Sequence, residues 1–172
     1  KVLKACDYIL AWRKRNQKPE LKGRGWGLVD GKVADPEDPY HAFMLNAYMV
    51  VGLFRVAEML EKTDPEQSKR LRRGAGAFRK DVRRAFEQTM AASPVVPLGD
   101  GSWCPTAAPW AEACGPLMLY AEKGMWYTHG AFMTRDSLVG PLYLILQGGL
   151  GVKEKAADFL IKPFAAEELR AR

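Results

Sequence analysis

Cysteine and histidine are scarce in this chain of 172 residues. Cys6, Cys104 and Cys114 are odd in number and have no C-x-x-C spacing, which excludes a disulfide framework and a cysteine-rich zinc site. The two histidines, His41 and His129, stand at no spacing that resembles a zinc site, so neither a metal nor a cofactor is expected. Asp35, Glu37 and Asp38 match no calcium-loop pattern. A G-x-S-x-G elbow is missing, and Gly23-x-Gly25-x-Gly27 is not a dinucleotide fingerprint. No stretch offers the ~18 uncharged apolar residues of a membrane span, so no membrane partner is expected.

What is present is enough apolar material, 48% of residues, to build one hydrophobic core. A single domain over residues 1–172 is the expectation. The chain opens on Lys1, and Val2 to Trp12 is too charged for a signal peptide, so residue 1 reads as an internal point of a longer protein. The net charge of +6 comes largely from Arg70, Arg72, Arg73, Arg79, Lys80, Arg83 and Arg84. A helix would spread these around a solvated face, and without basic-aromatic interleaving they do not predict a nucleic-acid partner.

The apolar spacing predicts an amphipathic helix over Lys1–Gln17, ended by Pro19. Glycines, turn dipeptides and prolines from Gly23 to Pro39 exclude helix there and allow a short hairpin around Asp30-Gly31. Asp38 reads as an N-cap with Pro39 at the first helical position, and Tyr40–Leu60, apolar on every face, reads as a helix buried all round. Asp64-Pro65 starts another helix to about Ala92, with a Leu71, Ala75, Phe78, Val82, Phe86 stripe opposite a charged face. The two form an antiparallel hairpin, an inner helix against an outer one. Ser93–Pro109 reads as irregular, Trp110–Lys123 as partly helical, Ser137–Gln147 as a second inner helix and Val152–Ile161 as an outer one.

The buried helix opened by Ala34-Asp35-Pro36-Glu37-Asp38-Pro39-Tyr40-His41, its Arg-rich partner and the Gly/Trp-rich loop before the next buried helix resemble the (α/α) toroid of six-hairpin glycosidase-like proteins. The fold class that follows is all-α, with antiparallel helical hairpins in an incomplete toroid and long Gly/Pro/Trp-rich loops. With helices of typical length the chain covers about half a toroid. The resemblance implies a sugar-binding cleft at one rim, with loop Asp or Glu residues as acid and base.

Glycoside cleavage needs two carboxyl groups ~5–10 Å apart, one protonating the leaving oxygen and one activating water or attacking. If the inner helices run parallel, their leading ends gather Glu37, Asp136 and Asp35 at one mouth, and these are the candidate catalytic residues. Asp100 and Glu112 flank the tryptophan loop and are candidate substrate-binding residues. Sugar faces pack on indoles, so Trp26 and Trp103 are candidate stacking residues. His41 and His129 could form a polar pair lining the cleft with Tyr40 and Asn46, and Arg135 could orient a substrate. Each has a structural counterpart: Asp38 and Asp136 as caps, Arg135 as an ion-pair partner of Asp136, His41 as a satisfied buried histidine. The expected function is part of a carbohydrate-active, glycoside hydrolase-like protein with a carbohydrate ligand. The alternatives are a non-catalytic sugar-binding domain and a helical interaction scaffold whose Arg-rich helix binds an acidic partner. Inner-helix surface left open would be covered by further chain or by self-association.

Overall fold

The computed structural model describes residues 1–31, 40–93, 95–97, 99–105 and 110–112. Within them the chain is predominantly helical. Helix α1 spans Val2–Arg15, α2 Phe43–Leu60 and α3 Pro65–Ala92, followed by strands β1 (Val95–Pro97) and β2 (Trp103–Pro105). The expected second inner helix, its outer partner and the segment from Trp126 to Thr134 lie outside the described residues.

Helices α2 and α3 make the expected antiparallel hairpin. Asp64 caps α3 by accepting from the Gln67 N–H, with Pro65 at the first position. The α3 stripe of Leu71, Ala75, Phe78 and Val82 is fully buried, and Phe86 nearly so. It meets Phe43, Ala47, Val50, Leu53 and Ala57 of α2 at three- and four-residue steps. At one end the Ser68 hydroxyl donates to the Ala57 carbonyl at 2.7 Å. At the other, Phe43 and Phe86 pack edge to face with centroids 5.1 Å apart. Each fully buried Phe or Leu here contributes roughly 1.5–3 kcal/mol from desolvation.

Helix α1 packs against both. Cys6 reaches the core, and Leu3, Ile9, Leu10 and Trp12 pack on it. Burial pushes the Cys6 thiol above its ordinary value, which suits a packing residue and not a reactive one. Asp7 pairs with Arg70, Leu10 packs where Gly74 has no side chain, and Arg13 pairs with Asp81. Partner numbers rise together along the two helices, so α1 runs parallel to α3. The C-terminal ends of α1 and α3 and the N-terminal end of α2 therefore share one end of the molecule.

Three expectations are corrected. Helix α2 begins at Phe43 with Ala42 as its N-cap, without a side-chain cap, so Asp38 does not cap it and His41 is not in its first turn. The reason is that His41 bridges Gly31 in parallel and Ala42 bridges Trp110, which draws this approach into extended backbone. Gly31 bridges His41, and residues 32–39, which a hairpin around Asp30-Gly31 would use, lie outside the described residues. Second, α2 is not buried all round: Tyr48 is 43% and Met59 71% exposed. At 18 residues and mean hydropathy 1.4 it is long and apolar enough to cross a membrane, by length and composition alone. Its buried face is nonetheless committed to α3, and Arg55 and Glu58 pair on its surface. Third, 93–109 is not wholly irregular. β1 and β2 pair antiparallel, Val95 opposite Pro105 and Pro97 opposite Trp103, around the expected Asp100-Gly101 turn. Trp110 follows as a bridge residue and not a helix start.

Candidate functional site

The shared end of the helices carries a connected set of polar side chains. It starts at Asn16, the C-cap of α1, whose carbonyl accepts from the Gly27 N–H at 3.0 Å. The Asn16 amide is buried and donates to the Leu28 carbonyl at 2.7 Å and to Asp30 Oδ1 at 2.9 Å. The Trp12 indole N–H donates to the same Asp30 oxygen at 2.7 Å. On its other side Asn16 Nδ2 lies 3.5 Å from His41 Nε2. His41 Nδ1 bonds to Glu112 Oε1, and the His41 backbone N–H donates to Glu112 Oε2 at 3.1 Å. A carboxylate only accepts, so Nδ1 carries the hydrogen in this contact and Nε2 faces the Asn16 amide. Trp12, Asp30, Asn16, His41 and Glu112 thus form one chain from α1 to the segment after the strands.

The glycine-rich loop is shaped by this chain. Gly25 has φ +132°, and a Cβ there would stand 3.0 Å from His41 Cγ. Gly27 has φ +72°, and its Cβ would stand 2.5 Å from Asp81 Oδ2. Both positions combine left-handed backbone with no space, so glycine is the residue they accept. The loop backbone is laid directly on His41 and on the Arg13–Asp81 pair.

Burial pushes the Asp30 carboxyl up, but hydrogen bonds from Asn16 and Trp12 outweigh it, and the net value lies below the ordinary one. A carboxyl depressed in the folded state contributes stability that is present above its unfolded value and lost as pH falls through the folded one. Asp30→Asn keeps an acceptor for both donors. The stability gap between the native chain and this variant should therefore be widest near neutrality and close on acidification below about pH 4. Denaturation midpoints of the two chains across that range measure it, and a gap that widens in acid contradicts the assignment.

Of the candidates, His41 and Glu112 are brought into direct contact. His41 is 5% exposed and is the satisfied buried histidine of the structural alternative. Trp26 sits in the loop that touches His41 through Gly25, half-buried, with Lys22 Nζ 5.6 Å above its ring. Trp103 is 63% exposed on β2. Asp100 is exposed in the strand turn, where hydrogen bonds from the Ser102 hydroxyl and N–H hold its carboxyl below the usual range. Among the described residues no hydrogen bond ties Asp100 or Trp103 to the His41–Glu112 pair. Trp110 is buried and stacks on Tyr40 at 4.5 Å, with its ring N–H unpartnered among the described residues. Asn46 does not line a cleft. It is fully buried and bonded to the Val29 and Ala42 backbone. Glu37, Asp35, Asp136, His129 and Arg135 lie outside the described residues. No group of three or more His, Cys, Asp or Glu side chains among the described residues could hold a metal ion.

Sequence reasoning missed Trp12, Asn16 and Asp30. An Asn directly after a helix ending in three basic residues is a C-cap signal, but its link to a residue 25 positions on has no sequence counterpart. Comparison of the chain with models of protein families, with characterised proteins and with solved structures finds no match in any of the three.

Proposed function

We propose that the chain is part of a carbohydrate-active protein, an incomplete (α/α) toroid of the six-hairpin glycosidase-like kind, acting on an oligosaccharide or glycan by carboxylate acid/base chemistry. The observation that carries this reading is the Glu112 carboxylate, fastened to His41 at the leading end of α2 with its side chain 25% exposed, beside the Trp26 loop. Both Glu112 oxygens already accept hydrogens, so the role that suits it is that of an acceptor taking a proton from water. The donor role falls to Glu37, Asp136 or Asp35. A fixed carboxylate supplies one of the two carboxyl groups that glycoside cleavage needs, and the Trp26 indole in the adjoining loop offers a flat apolar surface for a sugar face.

The test is turnover of an oligosaccharide panel by the native chain and by Glu112→Gln. The variant keeps the size and an acceptor for His41, so binding should persist while kcat falls ~100-fold or more. Unchanged kcat in a correctly folded variant removes Glu112 from the chemistry.

A second reading, a non-catalytic sugar-binding or scaffold domain, is favoured by the same contacts seen differently. Glu112 and the Ala111 N–H, which donates to the His41 carbonyl at 3.2 Å, clasp this segment to the start of α2. Sugar binding without turnover by the native chain is its signature. The interaction-module alternative draws less support, because Arg70, Arg72 and Arg83 on α3 are paired within the chain to Asp7, Glu61 and Glu87.

A further inference from the structure

A cavity of about 350 Å³ opens between the glycine loop and the C-terminal half of α3, lined by Lys22, Trp26, Asp81, Arg84 and Gln88 among others. It shares no residue with the His41–Glu112 pair. Three features set its chemistry. Asp81 is the one acid among the described residues of the lining, and its carboxylate is committed to Arg13. Lys22 and Arg84 then leave the cavity electropositive, and neither forms an ion pair among the described residues, unlike Arg70, Arg72 and Arg83. Trp26 supplies a flat apolar wall with a cation already held over it. Arg84 and Gln88 are one helical turn apart on α3, so a guanidinium and an amide are presented side by side.

We infer that this cavity binds a sugar ring carrying a carboxylate, with the acid on Arg84 and Lys22, the ring against Trp26 and a hydroxyl on Gln88. The inference rests on the carbohydrate reading and adds the class of sugar. A planar guanidinium matches a carboxylate through two parallel hydrogen bonds, and an indole face matches the C–H face of a pyranose. The volume lies at the small end of ligand pockets, right for one or two rings and not for a polymer. A neutral sugar would make no use of the two exposed cations, and an acid without a ring would leave the Trp26 wall unused.

The test is calorimetric titration of the 172-residue chain with digalacturonate, with its methyl ester and with acetate at low ionic strength. Digalacturonate should bind ~10-fold or more tightly than the ester, and the advantage should shrink as salt is added. Arg84→Gln should abolish the advantage, and Trp26→Ala should weaken the acid and the ester alike. Both side chains reach solvent, and circular dichroism verifies that the variants fold. Equal binding of acid and ester, or an acid preference that survives Arg84→Gln, overturns the inference while sugar binding stands. Acetate binding as tightly as digalacturonate overturns it as well, since the site would then be an anion site only. Lack of binding by all three probes overturns it too, whereas the Glu112 assay decides the carbohydrate reading independently.

Discussion

Replacement of Asn46 by leucine should cost the fold about 3–5 kcal/mol, although the change is to an apolar residue of similar shape at a position with no solvent exposure. The carboxamide is the joint between the second half of the glycine loop and α2. Its oxygen accepts from the Val29 N–H at 2.8 Å, and its NH2 group donates to the Val29 carbonyl at 2.9 Å and the Ala42 carbonyl at 2.8 Å. Leucine satisfies none of these. The Ala42 carbonyl keeps the Asn46 N–H at 3.2 Å, but both polar groups of Val29, itself fully buried, are left without a partner. An orphaned buried peptide group costs about 1–3 kcal/mol, and two set the size of the effect. Greasier side chains usually stabilise a core, so the sign is diagnostic. Urea denaturation gives the magnitude, and amide exchange at Val29 should accelerate in the variant. A stability loss under about 1 kcal/mol would mean that Val29 finds other partners and that the loop is not held by Asn46.

The parts of this architecture that could be read from the sequence are those where local chemistry and packing agree. The α3 stripe repeats at helical spacing and its start carries Asp64-Pro65, so periodicity and cap point to the same element. The start of α2 departs from its local signals for the opposite reason. Asp38-Pro39 has the chemistry of a helix start, but backbone bridges from His41 to Gly31 and from Ala42 to Trp110 take precedence over it. Those are contacts between residues 10 and 68 positions apart, and no local signal announces them. The same holds for the site. Residue types single out His41 and Glu112 as candidates, and the structure joins these two, whereas Glu37, Asp35 and Asp136 lie outside the described residues. The Asn16–Asp30 support behind His41 was not legible, because each residue has an ordinary local explanation as a cap or a turn. Asn46 shows the converse: a polar residue inside an apolar helix suggested a cleft, and it is instead the tether for a buried peptide.

Removal of the Asp81 side chain should be the second large loss, about 3–5 kcal/mol for Asp81→Ala. Arg13 and Asp81 are each 12% exposed, and their ion pair is the polar link between the C-terminal turn of α1 and the middle of α3. Without Asp81 the guanidinium retains, among the described residues, only the Phe78 ring face, 5.7 Å away, for compensation, and its buried Nε already has no acceptor among them. An uncompensated charge at that depth is costlier than the pair is favourable, so truncating one partner overstates what the two contribute together. The double variant Arg13→Met, Asp81→Leu should accordingly recover most of the loss. The pair between Arg70 and Asp7 is the internal control on the same two helices. At 39% and 55% exposure it is solvated, and Arg70→Ala should change stability by no more than about 1 kcal/mol. Asp81 also closes the space above Gly27, so its loss should loosen the glycine loop as well as α1, and protection of the Gly27 amide, which donates to Asn16, should fall with it. If Asp81→Ala costs no more than Arg70→Ala, the pair is effectively solvated, and the apolar contacts of Cys6, Leu3, Ile9, Leu10 and Trp12 with the hydrogen bonds of Trp12 and Asn16 hold α1 in place.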